Sequence, residues 1–571
     1  MIPIRKTLEA DVVIAGGGIG GAMAAISARE AGAERVVVLE KCNVRRSGSG
    51  ATGNDHFSCY IPEVHGPDIE PVLREAMGSL IGQNKDPGMI RLHLEESFDI
   101  VRKWEAWGIN MRPLGKWNFQ GHALPGRPRV FLKFDGRKQK AVLAEQMKKH
   151  GVQVFNHHPV VELARVDGRI AGALALDIST PEPGFALVKS PNVIVSTGLT
   201  HRLYTNAATP SRMFNTSHCP NCAGGQALGW RAGAKMVNME IPYTHAGIKY
   251  FQRAGKATWI GVYRYPDGRP LGPFVTSPDA EYGDVTADIW NTAFSDVMHN
   301  GSGPAYLDCS ECTPDMLAYM RQAMFDEGLS ALIHYMDDKG IDPGRHAVEC
   351  MRYEPTLHGR GLDVDRDGRT SVPGLYAAGD LVGNAGCGLG LAAWLGWRAG
   401  RAAAGDIGVA AYLPAVSGFP SDSTENLASV PSVRTKMEQL SAFAEREGGP
   451  DWQEANSALN QIMDDYAPAG PNKVRSESLL RAGLAYLAQL RAETLATLHT
   501  SCSHTLMRAA EVLDLFDCAE AVFHAALERR ETRAAHRRSD YTFTNPLLAD
   551  RMLDVFLAED GKVAVEWRNK R

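Results

Sequence analysis

A chain of 571 residues is too long for one ordinary hydrophobic core, so two to four domains are expected. Apolar content of 44% and charged content of 22% place it among soluble globular proteins, and a net charge of −5 without a long basic run gives no basis for nucleic-acid binding. Apolar stretches are too short or too Gly-rich for a membrane span, and the N-terminus leads straight into a first strand, so a cytoplasmic protein is the simplest expectation.

Residues 12–15 are an apolar run that feeds Gly16-Gly-Gly-Ile-Gly20-Gly21, an Ala-rich helical stretch, and a second apolar run ending on Glu40. That order predicts a βαβ unit with G-x-G-x-x-G at Gly16, Gly18 and Gly21. Gly16 serves the tight turn, Gly18 lets the backbone approach a diphosphate, and Gly21 lets helix and strand pack closely. Gly20 lies in the same turn, and Glu40, followed by Lys41, is placed to accept hydrogen bonds from a ribose. Next comes a run of small residues that includes Ser47, Gly48, Ser49, Thr52 and Gly53. Small residues let the backbone lie against a flat ring. Asn54, Asp55 and His56 follow, and either reach an active-site cavity or cap the next element.

Residues 66–112 predict two amphipathic helices split before Pro87, and 136–150 a third. Strands are expected at 152–155 and in a hairpin of 160–166 with 169–177, turned at Asp167-Gly168. A buried strand, 192–198, ends on Thr197 and Gly198 and returns the chain to the first sheet. Residues 240–345 lose the βαβ rhythm and interleave aromatic with basic residues, among them Arg253, Lys256 and Arg264. An inserted domain binding an anionic substrate fits this composition, and so does a solvated surface with a few buried rings.

A second glycine-rich stretch follows: a short strand closed by Gly379-Asp380, then a turn into a helix containing Gly388, Leu389, Gly390 and Leu391. Asp380 is placed for a sugar-alcohol hydroxyl, and the turn's free amides for an electron-rich ring edge or an anion. A nucleotide site built from two segments more than three hundred residues apart suits FAD, whose ribityl and ring parts extend beyond one βαβ unit. The expected fold is α/β: a Rossmann-like FAD-binding domain (1–239 and 346–410), an inserted α+β capping domain (240–345), a linker with a helix or two (411–470), and a C-terminal helical bundle (471–571) closed by a strand-like tail at 563–567.

Ten cysteines spread over the whole chain argue against a disulfide framework. Cys219/Cys222 and Cys309/Cys312 form two C-x-x-C pairs. Nearly ninety residues separate them, far outside zinc-ribbon spacing, so ordinary thiols are favoured and no metal is expected.

In order along nearly the whole chain, the glycine turn with Glu40, the strand ending at Gly198, the segment 372–380 and the run from Arg530 to Tyr541 resemble the flavoprotein subunits of the fumarate reductase and succinate dehydrogenase family. The last run, R-E-T-R-A-A-H-R-R-S-D-Y, is similar to that family's E-S-R-G-A-H-x-R-x-D-Y signature. The resemblance implies an FAD-dependent oxidoreductase with a capping domain closing over the substrate. Where succinate dehydrogenases attach FAD through a histidine, this chain has Ser47-Gly48-Ser49, which implies non-covalent FAD. The family's dicarboxylate motifs are largely missing, and only His358 matches a substrate-contacting histidine, so fumarate or succinate is not the expected substrate.

The cap is similar to the adenylylsulfate reductase alpha subunit in A-G-A-K-M-V-N-M-E, residues 232–240, and in G-P-A-Y-L-D, residues 303–308. His358 is expected to orient substrate or move a proton, and Arg253, Lys256 and Arg264 to bind an anion or protonate it. Expected partners are a small anionic substrate and a ferredoxin-like iron–sulfur subunit, in an oligomer. Adenylylsulfate reductase itself is the second enzymatic reading. An electron-transfer flavoprotein subunit without a substrate of its own is the third.

Overall fold

Four apolar runs, Val12–Ala15, Val36–Glu40, Val193–Val195 and Leu375–Ala377, are wholly buried and lie parallel, with Gln153–Asn156 completing a five-stranded sheet. Its order is Leu375–Ala377, Val193–Val195, Val12–Ala15, Val36–Glu40, Gln153–Asn156. Runs of Val, Ile and Leu without polar alternation suit this place, because both sheet faces are covered. The computed structural model describes all residues except 53–55, 80–83, 120–122, 125, 206–223, 245, 249–258, 273–274, 281–292, 327–328, 353–354, 408–423 and 471–472.

Helix Ile19–Glu30 packs on this sheet and against helix Leu389–Gly405. The two helices meet backbone to backbone. A Cβ added at Gly396 would lie 2.2 Å from the Gly20 carbonyl oxygen, and one at Gly400 2.1 Å from that of Ala24. Small residues on both helices therefore bring the two glycine-rich segments side by side.

The hairpin Val160–Val166 and Arg169–Asp177 forms with Asp167 and Gly168 both at positive φ, 48° and 79°, the backbone a two-residue turn demands. With Gly184–Lys189 and Ile4–Glu9 it makes a second sheet. A third sheet, Ala246–Ile248, Val348–Arg352, Ala305–Asp308 and Val262–Arg264, is antiparallel and has its own core around Trp259, Tyr263, Phe294 and Met324.

Toward the C-terminus, helices Pro431–Glu445, Trp452–Tyr466, Glu477–Thr497 and Ser503–Glu528 pack together. Asp451 and Ser476 cap the second and third of these by accepting backbone amides. Strand Val563–Asn569 pairs with Arg551–Leu557, which pairs with Met236–Val237 and through it joins Gly361–Leu362, so the tail shares a sheet with the middle of the chain. The region 411–470, expected as a linker with a helix or two, holds the first two of these helices in its described part. Among the described residues no helix is long and apolar enough to cross a membrane.

His93 sits under this body, its Nε2 3.1 Å from the Ser58 hydroxyl and its ring 5.4 Å from that of Trp394. Burial pulls its pKa down to about 4. A depressed folded pKa means that stability is full above the unfolded value of about 6.5 and is lost as pH falls from there through 4. One such group gives a slope of up to about 1.4 kcal/mol per pH unit. In urea unfolding series between pH 6.5 and 4, His93→Gln is expected to show a slope shallower by about that amount.

Candidate active site

The two glycine-rich segments open onto one cavity. Its wall includes Gly16, Gly18, Gly20, Glu40, Lys41, Gly48 and Ser49 from the first βαβ unit and the loop after it. Ser196, Thr197 and Gly198 follow the returning strand, and Gly379, Asp380, Gly388 and Leu389 belong to the second segment, with His358 beside them.

Gly16 adopts φ +98°, and a Cβ there would lie 2.5 Å from the Ser196 carbonyl oxygen. A Cβ at Gly21 would lie 1.9 Å from the Gly16 oxygen, so this residue serves packing and not the cavity. Gly18 differs: an added Cβ would meet nothing nearer than 4.0 Å. The space beside Gly18 belongs to the cavity, as a cradle for a diphosphate requires. Gly388, at φ +96°, likewise has nothing within 4 Å of an added Cβ.

Gly18 is the N-cap of helix Ile19–Glu30 and Gly388 that of Leu389–Gly405, and neither supplies a side-chain cap. Two helix N-termini therefore present amides and positive dipole ends to one cavity. This arrangement suits a ligand with an anionic linker at one end and an electron-rich ring edge at the other.

Glu40 accepts the Gly17 amide at 2.6 Å and the Cys42 amide at 2.7 Å. Its carboxylate thus fixes the turn while lining the cavity. Lys41 bonds Glu511 at 2.9 Å, and Glu511 also receives Arg202 at 2.6 Å and Arg508 at 2.8 Å. These three cations hold the Glu511 carboxyl far below the usual range despite burial.

Ser47 is buried behind the wall, its hydroxyl 3.4 Å from the Gly17 oxygen. Thr52 ends the short helical turn Ser49–Thr52. Gly53, Asn54 and Asp55 lie outside the described residues. Gly390 packs its helix onto the chain at Ser58, where a Cβ would lie 2.5 Å from the carbonyl oxygen, and Leu391 is buried.

His358 Nε2 stands 3.3 Å from Asp380 Oδ1, which accepts the Gly388 amide at 2.8 Å. The ring meets that of Tyr243 edge to face at 5.1 Å. The buried thiol of Cys387 hydrogen-bonds His358. Burial disfavours the imidazolium, but Cys387 and Asp380 outweigh it and push the pKa up to about 10. Burial likewise opposes a Cys387 thiolate, and the His358 charge overcomes it and brings the thiol below its ordinary range. Lys85, fully buried behind them, donates to the carbonyls of Gly359 and, at 2.8 Å, Gly383.

Of the expected cap cations, Arg253 and Lys256 lie outside the described residues, as do Cys219 and Cys222. Arg264 stands away from the cavity wall, facing Asp308 at 3.4 Å and Glu311 at 3.1 Å. Sequence reasoning did not anticipate Pro159, Val160 and Val161 from the hairpin, or Met507, Ala510, Glu511 and Asp514 from helix Ser503–Glu528, all of which line the cavity. Helix Ser503–Glu528 carries further polar residues, among them Arg508, Asp517 and Glu520, so nothing in its composition singles out Glu511 or Asp514. Among the described residues no cluster of three or more metal-binding side chains occurs.

A family model described as the FAD binding domain matches residues 11–391, and one described as the fumarate reductase flavoprotein C-terminus matches 456–569. The chain is 24% identical over 573 residues to the A subunit of the fumarate reductase (CoM/CoB) of Methanothermobacter marburgensis, covering 94% of this chain and 95% of that protein. The adenylylsulfate reductase of Archaeoglobus fulgidus superposes with a TM-score of 0.82 at 20% identity, over 100% of this chain and 97% of that one. The E. coli quinol fumarate reductase protein FrdA does so with a TM-score of 0.80 at 18% identity, over 99% and 97%. At these identities the structural likenesses speak for a shared fold.

Proposed function

The chain belongs to the FAD binding domain family of fumarate reductase and succinate dehydrogenase flavoproteins, and from that premise we propose that it moves a hydride or an electron pair between non-covalent FAD and a small anionic substrate. The observation that carries this reading is the convergence of two uncapped helix N-termini and a charged histidine on one cavity. When bound, FAD supplies the redox chemistry, and the protein supplies binding, orientation and charge.

In this reading the open space and amides at Gly18 hold the diphosphate, and the Gly388 turn takes the ring edge. Glu40 and Asp380 hold hydroxyls of the sugar parts with the lone pairs that their amide bonds leave. The remaining first-segment residues, Gly48 to Asn54 with Ser47 behind them, form the non-covalent cradle. His358, kept protonated through neutral pH, faces the substrate as a cation and either fixes an anionic group or delivers a proton from its ring. Residues 240–345 form the cap, and within it Arg253 and Lys256 bind the anion, since Arg264 already answers two carboxylates. The Methanothermobacter relative is named as one subunit of an enzyme. For the electron partner we place a ferredoxin-like iron–sulfur protein beside this chain, in the cytoplasm.

The direct test is to purify the protein, record the flavin spectrum, and screen organic acids, thiols and sulfur oxyanions for reduction or re-oxidation of the flavin. A flavin that responds to a redox partner but to none of these classes would refute the substrate-binding reading. Once a substrate is found, His358→Ala is expected to keep its flavin and lose turnover by about 10²–10⁴-fold. The raised pKa of His358 predicts activity that declines as pH rises through about 10. Cys387→Ser removes one of the groups that raise it, so the declining limb is expected at lower pH in steady-state profiles.

A further inference from the structure

The Cys309/Cys312 pair closes the turn between strand Ala305–Asp308 and helix Pro314–Asp326. The Cys312 amide donates to the Cys309 carbonyl at 3.0 Å, the bond from residue i to i+3 of a β-turn. Such a turn holds its outer Cα atoms within about 7 Å. A disulfide spans Cα separations of about 4.4–6.8 Å, so the backbone is already folded into the range a bridge needs. Both residues are free thiols, and their side chains hydrogen-bond each other.

The two sulfurs are unequal. Cys309 is 1% exposed and packed so closely on Gly261 that a Cβ there would lie 2.5 Å from its Sγ. Cys312 is partly open to solvent. The hydrogen bond from Cys309 brings the Cys312 thiol below its ordinary range, while the same bond and burial push Cys309 up. Asp308 and Glu311 would oppose a thiolate at Cys312, but Arg264 faces both, at 3.4 and 3.1 Å. Arg264 thus has work at this turn. A partly exposed thiol of lowered pKa beside a buried one is the arrangement of an attacking and a resolving cysteine.

We propose that Cys309 and Cys312 form a thiol–disulfide exchange site for low-molecular-weight disulfides, with Cys312 as the attacking and Cys309 as the resolving sulfur. Partial burial of Cys312 admits a small disulfide more readily than one presented by a folded protein. The Cys312 thiolate attacks one sulfur of RS–SR, forming a mixed disulfide and releasing RS⁻. Cys309 then gives up its proton and attacks Cys312 Sγ, releasing the second RS⁻ and closing the internal bridge. Two cysteine thiols are oxidised and one RS–SR is reduced to two RSH.

The test equilibrates the full-length flavoprotein in buffers of graded reduced and oxidised glutathione, quenches in acid, alkylates after denaturation and weighs the peptide spanning 309–312. The expected result is interconversion between a doubly alkylated peptide and an unalkylated one two hydrogens lighter than the dithiol. Cys350, buried on the neighbouring strand, should be alkylated throughout. Cys309→Ser should accumulate glutathione on Cys312, and Cys312→Ser should leave Cys309 unmodified. A wild-type peptide that stays doubly alkylated in fully oxidised glutathione overturns the site. Glutathione on Cys309 in Cys312→Ser overturns the assignment of the attacking sulfur.

Discussion

Gly18→Val is expected to fold as the parent does and to purify without FAD. Its backbone, at φ −62°, accepts any residue, and an added Cβ meets no protein atom nearer than the Ser196 carbonyl oxygen at 4.0 Å. The new side chain fills the space that the diphosphate needs, and loss of that contact is expected to weaken FAD binding by a hundredfold or more, about 3 kcal/mol. Flavin absorbance of the purified protein and titration of the apoprotein with FAD measure this loss, and the melting curve of the apoprotein measures the fold. Gly21→Ala is the contrast. Its Cβ would press within 1.9 Å of a backbone oxygen that has nowhere to move, so one methyl group is expected to lose both fold and flavin. Overpacking of this kind costs about 1–3 kcal/mol, and more where backbone is the obstacle. If Gly18→Val kept its flavin, the cradle would have been assigned to the wrong turn.

Arg529→Met is expected to destabilise the protein by about 3–5 kcal/mol, read as a lowered urea midpoint. The Arg529 guanidinium, fully buried, lies between Glu240 and Glu531, which are fully buried as well. Glu240 begins the segment that leads to the third sheet, and Glu531 follows the end of helix Ser503–Glu528. Removing the cation leaves the Glu240 carboxylate buried without its countercharge, which costs far more than the pair contributes. The double variant Arg529→Met with Glu240→Leu removes both charges and is expected to recover much of the loss. A double variant no more stable than Arg529→Met would show that packing of the guanidinium over Trp567, at 4.9 Å, matters more than charge.

What the sequence made legible is what depends on near neighbours. The apolar runs at 12–15 and 36–40, the Asp167-Gly168 turn and the glycine spacing at 16, 18 and 21 announce themselves because strand, turn and helix start are decided within a few residues. The R-E-T-R-A-A-H-R-R-S-D-Y run was legible as a family signature but not as a device. In the structure Arg538 grips Asp540 with two bonds of 2.7 Å, and His536 Nε2 stands 2.9 Å from the Arg529 carbonyl oxygen, so the run locks the end of the helical region. The surroundings of His358 were not legible. Cys387 is twenty-nine positions away and Lys85 far earlier, and only tertiary packing brings them beside the ring. The same holds for Glu511, which reaches the cavity on a helix whose composition says only that it is buried.

The strand order of the central sheet bears on how the chain is born. Val193–Val195 pairs on one side with Val12–Ala15, already made, and on the other with Leu375–Ala377, roughly 180 residues later. At about 5–20 residues per second, that partner leaves the ribosome some 10–35 s afterwards. During that time a fully apolar strand edge stands open, and helix Leu389–Gly405, which must lie backbone to backbone on Ile19–Glu30, does not yet exist. The cofactor cavity is therefore a late product of synthesis. An unpaired apolar edge is the surface that aggregation and chaperones compete for, so recombinant yield should respond to slower translation and chaperone supply more strongly than to FAD added during the first third of synthesis.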